Sequence, residues 1–244
     1  MDKVKKVLDY ISIIIFSFGF ILTSAFISII PIASDNSYYM QQYIKNGVNN
    51  NLPYSLEQLE EITKSITNYL FPGADSMQIA FDGKNVFSSQ AISHMADVKV
   101  LFVGGSIIGY FCIALSIISL IYIIYRVKHI KKIFRKINYI TYGVFLLLIV
   151  AIGIYAAVDF DDAFVNFHHV IFPDPEKFNN AFFPWNDTLI NILTIDFFFD
   201  IFFAIIIRVV AIFIVYFIII QCLYGKTYIK IKNSFNKLKN KRCC

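Results

Sequence analysis

Four stretches of this chain are apolar almost without interruption, and each is long enough to cross a bilayer. They run over about Tyr10–Ile30, Val98–Tyr125, Ile137–Val158 and Ile201–Leu223. A helix rises 1.5 Å per residue, so each covers a hydrocarbon core roughly 30 Å thick. The pattern predicts four transmembrane helices, and the segments between them differ sharply in charge. Lys3, Lys5 and Lys6 precede the first run. Arg126, Lys128, Lys131, Lys132, Arg135 and Lys136 separate the second from the third, and Lys226, Lys230, Lys232, Lys237, Lys239, Lys241 and Arg242 follow the fourth, with no acid in either cluster. The other two connectors reverse this: residues 34–97 hold seven acids and three lysines, and residues 159–200 hold eight acids and one lysine. Because basic residues stay on the cytoplasmic side, the reading places both termini in the cytoplasm and the two large loops outside. The chain is then one membrane domain over residues 1–244, an all-α integral membrane protein whose outer loops form a small cap.

The first outer loop carries its own local signals. Ser55-Leu56-Glu57-Gln58 has the form of a capping box, and Leu59, Ile62, Ile66 and Leu70 recur at helical spacing until Phe71-Pro72-Gly73 stops the helix. Residues Met77 to Phe81 read as a short strand running into an Asp82-Gly83 turn. Beyond the third run no breaker precedes Pro173, so Asp159–Phe172 reads as a continuing interfacial helix. Phe160, Phe164 and Phe167 share one face of it, and Asp162, Asn166 and His169 another. Trp185 follows at a depth where aromatic rings anchor.

Composition agrees with a lipid solvent: 57% of residues are hydrophobic and 16% charged, against about a quarter charged in soluble domains. The net charge of +5 is no nucleic-acid signal, because the basic residues flank apolar runs. The first run has spanning length rather than signal-peptide length and is expected to remain as an anchor. Cys112 and Cys222 fall inside apolar runs and Cys243-Cys244 end the sequence, so no external disulfide is implied.

Chemistry concentrates in one layer. His129 sits in the basic connector, while His94, His168 and His169 lie beside the outer ends of spans. His94 is four residues before Val98, and His168 is ten after Val158, so both reach the outer lipid–water boundary, where histidine suits proton transfer near neutral pH. Interfacial histidines can also simply face water. Asp97, three residues after His94, shares its helical face and either orients the imidazole or marks the start of the span; Lys99 snorkels or pairs with an acid. Asp196, Asp200 and Arg208 enter the last span, where the ionisable Arg208 calls for a partner; lipid phosphate, Asp200 or the outer-loop acids can supply it, and a structural ion pair and a substrate-headgroup site are both open. No Gly-x-Ser-x-Gly elbow, zinc spacing or glycine-rich phosphate loop occurs.

Three motifs then carry a resemblance. Ala91-Ile-Ser-His94-Met-Ala-Asp97-Val-Lys99 resembles the His-Leu/Met-x-Asp-Val-Lys motif of a bacterial membrane family; Phe167-His168-His169-Val-Ile-Phe172 and Asp187-Thr-Leu-Ile190 leading to Phe197-Phe-Phe-Asp200 match it in order. These features resemble the lipoprotein intramolecular transacylases over essentially the whole chain. Where that family tends to have a proline before the Phe-Phe pair, this chain has Ile192-Leu-Thr194-Ile-Asp196, and the spacing to Phe172 selects His168 over His169. The resemblance implies an acyl shift on diacylated lipoproteins, from the sn-2 position of the S-diacylglyceryl cysteine to its own α-amine, giving a lyso-form. It further implies catalysis by His94 and His168, no cofactor and no metal. Asp97, Lys99, His169, Trp185, Asp187, Asp200 and Arg208 are the expected supporting or substrate-binding residues, and lipoproteins and membrane lipid the expected partners at the outer leaflet of the bacterial plasma membrane. A non-catalytic protein that binds lipid or a partner through its cap is the competing reading, and a small transporter a third; against the last, the spans mark no polar pathway besides Arg208.

Overall fold

The computed structural model describes residues 2–71 and 73–224; Pro72, the basic cluster from Lys226 onward and Cys243-Cys244 lie outside the described residues. The order of elements is α1 (Asp2–Ala33), α2 (Asn36–Lys45), α3 (Val48–Asn51), α4 (Leu56–Leu70), β1 (Ala80–Phe81), β2 (Lys84–Asn85), α5 (Ser89–Val158), α6 (Phe160–Ile171), α7 (Pro175–Asn180), α8 (Thr188–Ile192) and α9 (Ile195–Tyr224).

The helical trace of α5 covers 70 residues, and a straight helix of that length would reach about 105 Å. Yet His94 near its start and His168 shortly after its end lie with ring centroids 6.3 Å apart. The trace therefore reverses between its two apolar arms, Ser89–Arg126 and Ile130–Val158. With Lys3–Ala33 and Ile195–Ile220 these arms make four helices long and apolar enough to span a membrane. The helices exceed the apolar runs of the sequence: the first arm of α5 begins nine residues before Val98 and α9 six before Ile201, because helical hydrogen bonding need not stop where hydrocarbon stops.

Contacts along the bundle fix the directions. Asp9 of α1 holds Arg126 at 3.1 Å, and at the other end Phe26 meets Tyr110 edge-on, so α1 and the first arm are antiparallel. Tyr216 of α9 donates to Asn138 at 2.7 Å and Gly153 packs near Ile206, so the second arm and α9 are antiparallel too. The start of α1, the end of α9 and the basic reversal share one side. Ser17, Ser24 and Ser28 donate to carbonyls one turn back in their own helix, which satisfies hydroxyls where no water is present. Small side chains allow close approach between these helices; a Cβ at Gly19 would lie 2.4 Å from Ser116 Oγ.

Above the bundle sits a cap with its own core. Ser55 accepts from Gln58 N and the Gln58 side chain accepts from Ser55 N, completing the capping box of α4. Leu59, Ile62 and Ile66 then face inward at full burial, with Tyr43, Met77 and Ile192. Burying each large aliphatic contributes about 1.5–3 kcal/mol. The same cluster includes Ala91 and Met95 of α5 and Phe197 of α9, so the cap is welded to the helices that enter the membrane. Of the strand read from sequence, Ala80 and Phe81 pair with Asn85 and Lys84 and the Ile79 carbonyl accepts from Val86 N at 2.9 Å; Asp82 and Gly83 form the turn with φ of 50° and 74°, the left-handed geometry of a tight hairpin.

Gly19→Leu should therefore wedge α1 off α5 and cost about 1–3 kcal/mol, whereas Gly104→Leu, where nothing lies within 4 Å of an added Cβ, should leave the thermal midpoint in detergent nearly unchanged.

Candidate active site

His94 and His168 reach the same point from different elements, and each is fixed by a cap upstream. Ser88 caps α5 by accepting from Ala91 N at 3.0 Å, and its hydroxyl donates to Asp187 at 2.6 Å. With Ala91 and Met95 held in the cap core, the second turn of α5 is locked and His94 is placed. Helix α5 ends at Val158 rather than running on: Asp159 takes extended angles and caps a new helix, α6, by accepting from Asp162 N at 3.0 Å. That break lets α6 turn back over the bundle and present His168.

The two imidazoles are each only 8% exposed, with an interplanar angle of 28°. Nδ1 of His168 lies 2.8 Å from the carbonyl oxygen of Phe164. A carbonyl can only accept, so the proton resides on Nδ1 and the Nε2 lone pair is left free. Burial pushes the His168 pKa below its ordinary value, opposed by this hydrogen bond; the ring is neutral at pH 7. Nδ1 of His94 is buried and meets no protein hydrogen-bond partner among the described residues.

Aromatic rings wall the pair. Phe172 and Phe183 lie edge-on to His94 at 5.4 and 5.5 Å, and Phe164 packs on His168 at 4.3 Å, with Phe182 at 6.0 Å. The strap from Pro173 to Pro184, with α7 at its centre, supplies much of this cover. Lys177 of α7 donates to Asp97 at 2.5 Å, Gln90 Nε2 donates to the carbonyl of Phe182 at 2.8 Å, and Phe178 stacks on His169 at 3.6 Å.

The remaining sequence candidates scatter around this centre. The Asp97 carboxylate, expected either to orient an imidazole or to mark a span, pairs with Lys177 and acts on His94 through its charge. Lys99 donates to the Ala74 carbonyl at 2.8 Å and lies over the Tyr69 ring, fastening the cap rather than facing the histidines. His169 is exposed and serves as a platform for Phe178. Asp187 is buried and caps α8 by accepting from Leu189 N. Trp185 is 86% exposed. The ion pair of Asp200 is with Lys45 of α2 at 2.6 Å, not with Arg208, because Lys45 descends from the cap onto α9; Arg208 is exposed on α9. Among the described residues no cluster of three or more His, Cys, Asp or Glu is arranged to hold a metal ion. Sequence reasoning missed Lys177, Gln90 and the Phe182-Phe183 pair. Only the two prolines bracketing the strap hinted at a closed loop, and periodicity cannot report a loop folding over a site.

The Lys177–Asp97 pair is half exposed on the lysine side, so solvent screens it and it holds the strap only weakly. Lys177→Met should loosen the strap and raise the rate of His94 and His168 modification by diethyl pyrocarbonate up to about fivefold, read by peptide mass spectrometry.

Comparisons with known proteins bear on the family and on the fold. The model of a family described as lipoprotein intramolecular transacylase Lit matches residues 11–198. The chain is also similar to the in meso structure of the membrane integral lipoprotein intramolecular transacylase Lit from Bacillus cereus, with a TM-score of 0.70 at 18% identity over 98% of this chain and all of that one. Two further structures of that protein, with a histidine changed to arginine or to alanine, give a TM-score of 0.70 at 17% identity over 93% of this chain and 97% and 98% of theirs. At this identity the likeness concerns the fold. No curated protein matches the chain.

Proposed function

Because the chain belongs to the family of lipoprotein intramolecular transacylases, we propose that His94 and His168 catalyse transfer of the sn-2 acyl chain of a diacylated lipoprotein to the α-amine of its own N-terminal cysteine. The chain is a multi-pass bacterial membrane protein and an acyltransferase. The observation that carries the histidine reading is the buried pair itself, with the Nδ1 proton of His168 committed to Phe164 and its Nε2 free.

The neutral amine attacks the sn-2 ester carbonyl. The new C–N bond forms as Nε2 of His168 takes a proton from that nitrogen; the tetrahedral intermediate collapses with cleavage of the bond to the glycerol oxygen. His94 donates a proton to the departing oxygen, and a proton passing between the rings returns both to neutrality. One proton has moved from nitrogen to oxygen, one ester has become one amide, and the product carries a free sn-2 hydroxyl. No external acyl donor is consumed. The phenylalanine walls favour the neutral forms of both rings, and reaction within one molecule spares the entropy of bringing two together. The acid-rich loops support an outer-leaflet site, because the positive-inside rule assigns the opposite face to the cytoplasm.

His94→Ala and His168→Ala should each lower lyso-form production by about 10²–10⁴-fold, measured by mass spectrometry of a lipoprotein N-terminus in cells lacking other N-acylating activity; full activity in both variants contradicts the mechanism. Since burial holds His168 below the ordinary histidine range, its base form persists at and below neutrality as pH falls. The acidic limb of kcat/KM should then follow the substrate amine, near pH 7.7–8.0, and a limb at about 6.5 would put a histidine in control instead.

A further inference from the structure

Beside the histidines lies a second concavity that the acyl shift leaves unused. It is a groove of about 350 Å³ between the end of the hairpin, Asn85-Val86, with Ser88, on one side and Pro184, Asn186 and Asp187 on the other. Its two walls are joined at the base by the Ser88–Asp187 hydrogen bond. Phe183, which lies edge-on to His94 at 5.5 Å, immediately precedes Pro184 of the groove, so consecutive residues face the two spaces. Ser88 stands six residues before His94 on α5, about 9 Å along the helix.

We infer that this groove binds the peptide chain of the lipoprotein just after its modified cysteine. The inference rests on the transacylase reading, which requires the cysteine amine at the histidines and the rest of the lipoprotein in water. An extended chain advances about 3.3 Å per residue, so some three residues bridge the distance from His94 to the groove. Its chemistry suits a main chain rather than particular side chains. Asp187 is the one charged side chain in the lining, and its oxygens already accept from Ser88 and Leu189 N. The amides of Asn85 and Asn186 are exposed, and their side chains make no hydrogen bond among the described residues. Each offers donors and an acceptor to a passing peptide unit, and the outer edge of β2 pairs with no strand among the described residues, a setting that accepts an added extended segment. Recognition of this kind is tolerant of sequence.

The test compares two substrates with purified full-length protein in detergent: an S-diacylglyceryl-cysteine bearing four further residues, and the same lipid-modified cysteine ended as its methylamide. Wild type should prefer the longer substrate by about tenfold in kcat/KM, equivalent to roughly 1.4 kcal/mol. Asn186→Trp and, separately, Asn85→Trp, which fill the groove from opposite walls, should each shrink that preference at least threefold. Conversion of both substrates without length preference, or a preference that survives both tryptophans, overturns the groove assignment while leaving the transacylase reading standing. Conversion of neither substrate by wild type overturns the transacylase reading itself.

Discussion

The weld between the cap and the first turns of α5 is the contact on which the rest of the site depends. Ala91 and Met95 belong to the same buried cluster as Leu59, Ile62, Ile66 and Ile192, so the helix that carries His94 is anchored before it enters lipid. A transmembrane helix alone fixes neither its depth nor its rotation; packing against neighbours does. Here one hydrophobic core sets both, and Lys99, fastened to the Ala74 carbonyl and the Tyr69 ring, resists sliding from the same side. Lower down, the antiparallel pairing of α1 with the first arm and of the second arm with α9 returns the chain to the face that carries the cap, where Asp159 ends one helix and starts the next. The meeting of His94 with His168 is a consequence of these long-range constraints, since neither helix encodes the other's position.

Dryness follows from the same arrangement. Both rings are nearly withdrawn from solvent, and their neighbours are phenylalanines rather than charges; the nearest acid on α5, Asp97, has its charge matched by Lys177. In such surroundings the neutral imidazole is the stable form, and a hydrogen bond offered to a reacting group is stronger than it would be in water. The strap thus shapes the surroundings of the two rings with aromatic surface, through Phe182 and Phe183.

Much of this was legible in the sequence, and the division is physical. Span number came from apolar run length, because a bilayer imposes one on any helix that crosses it, and the α4 helix came from Ser55, Gln58 and a strict apolar period. His94 and His168 were legible as candidates through their depth and through the family motifs. What escaped was decided by distant segments. Asp97 looked like a partner for the histidine three residues away, yet Lys177, eighty positions on, holds it. Asp200 was one of several companions open to Arg208, and Lys45 arrives from the cap to pair with that aspartate. The break at Asp159 was hidden because aspartate is an ordinary residue in an amphipathic pattern; its capping role appears only when the backbone turns. The reversal within α5 was read as a loop, since eleven residues rich in lysine and arginine resemble one, yet helical structure continues through them.

Withdrawal of the histidines from water also bears on why an ester, rather than a cofactor, is enough to drive the proposed reaction. Exchange of an ester for an amide is downhill, so the barrier is the difficulty, together with the competition between the amine and water for the same carbonyl. Water is abundant outside the membrane and would yield a free fatty acid by the same tetrahedral route. A closed aromatic pocket changes that contest, because the amine is tethered a few bonds from its target while water must enter a space lined by Phe172, Phe182 and Phe183. Intramolecular placement can be equivalent to a very high effective concentration, and exclusion of solvent removes the rival nucleophile.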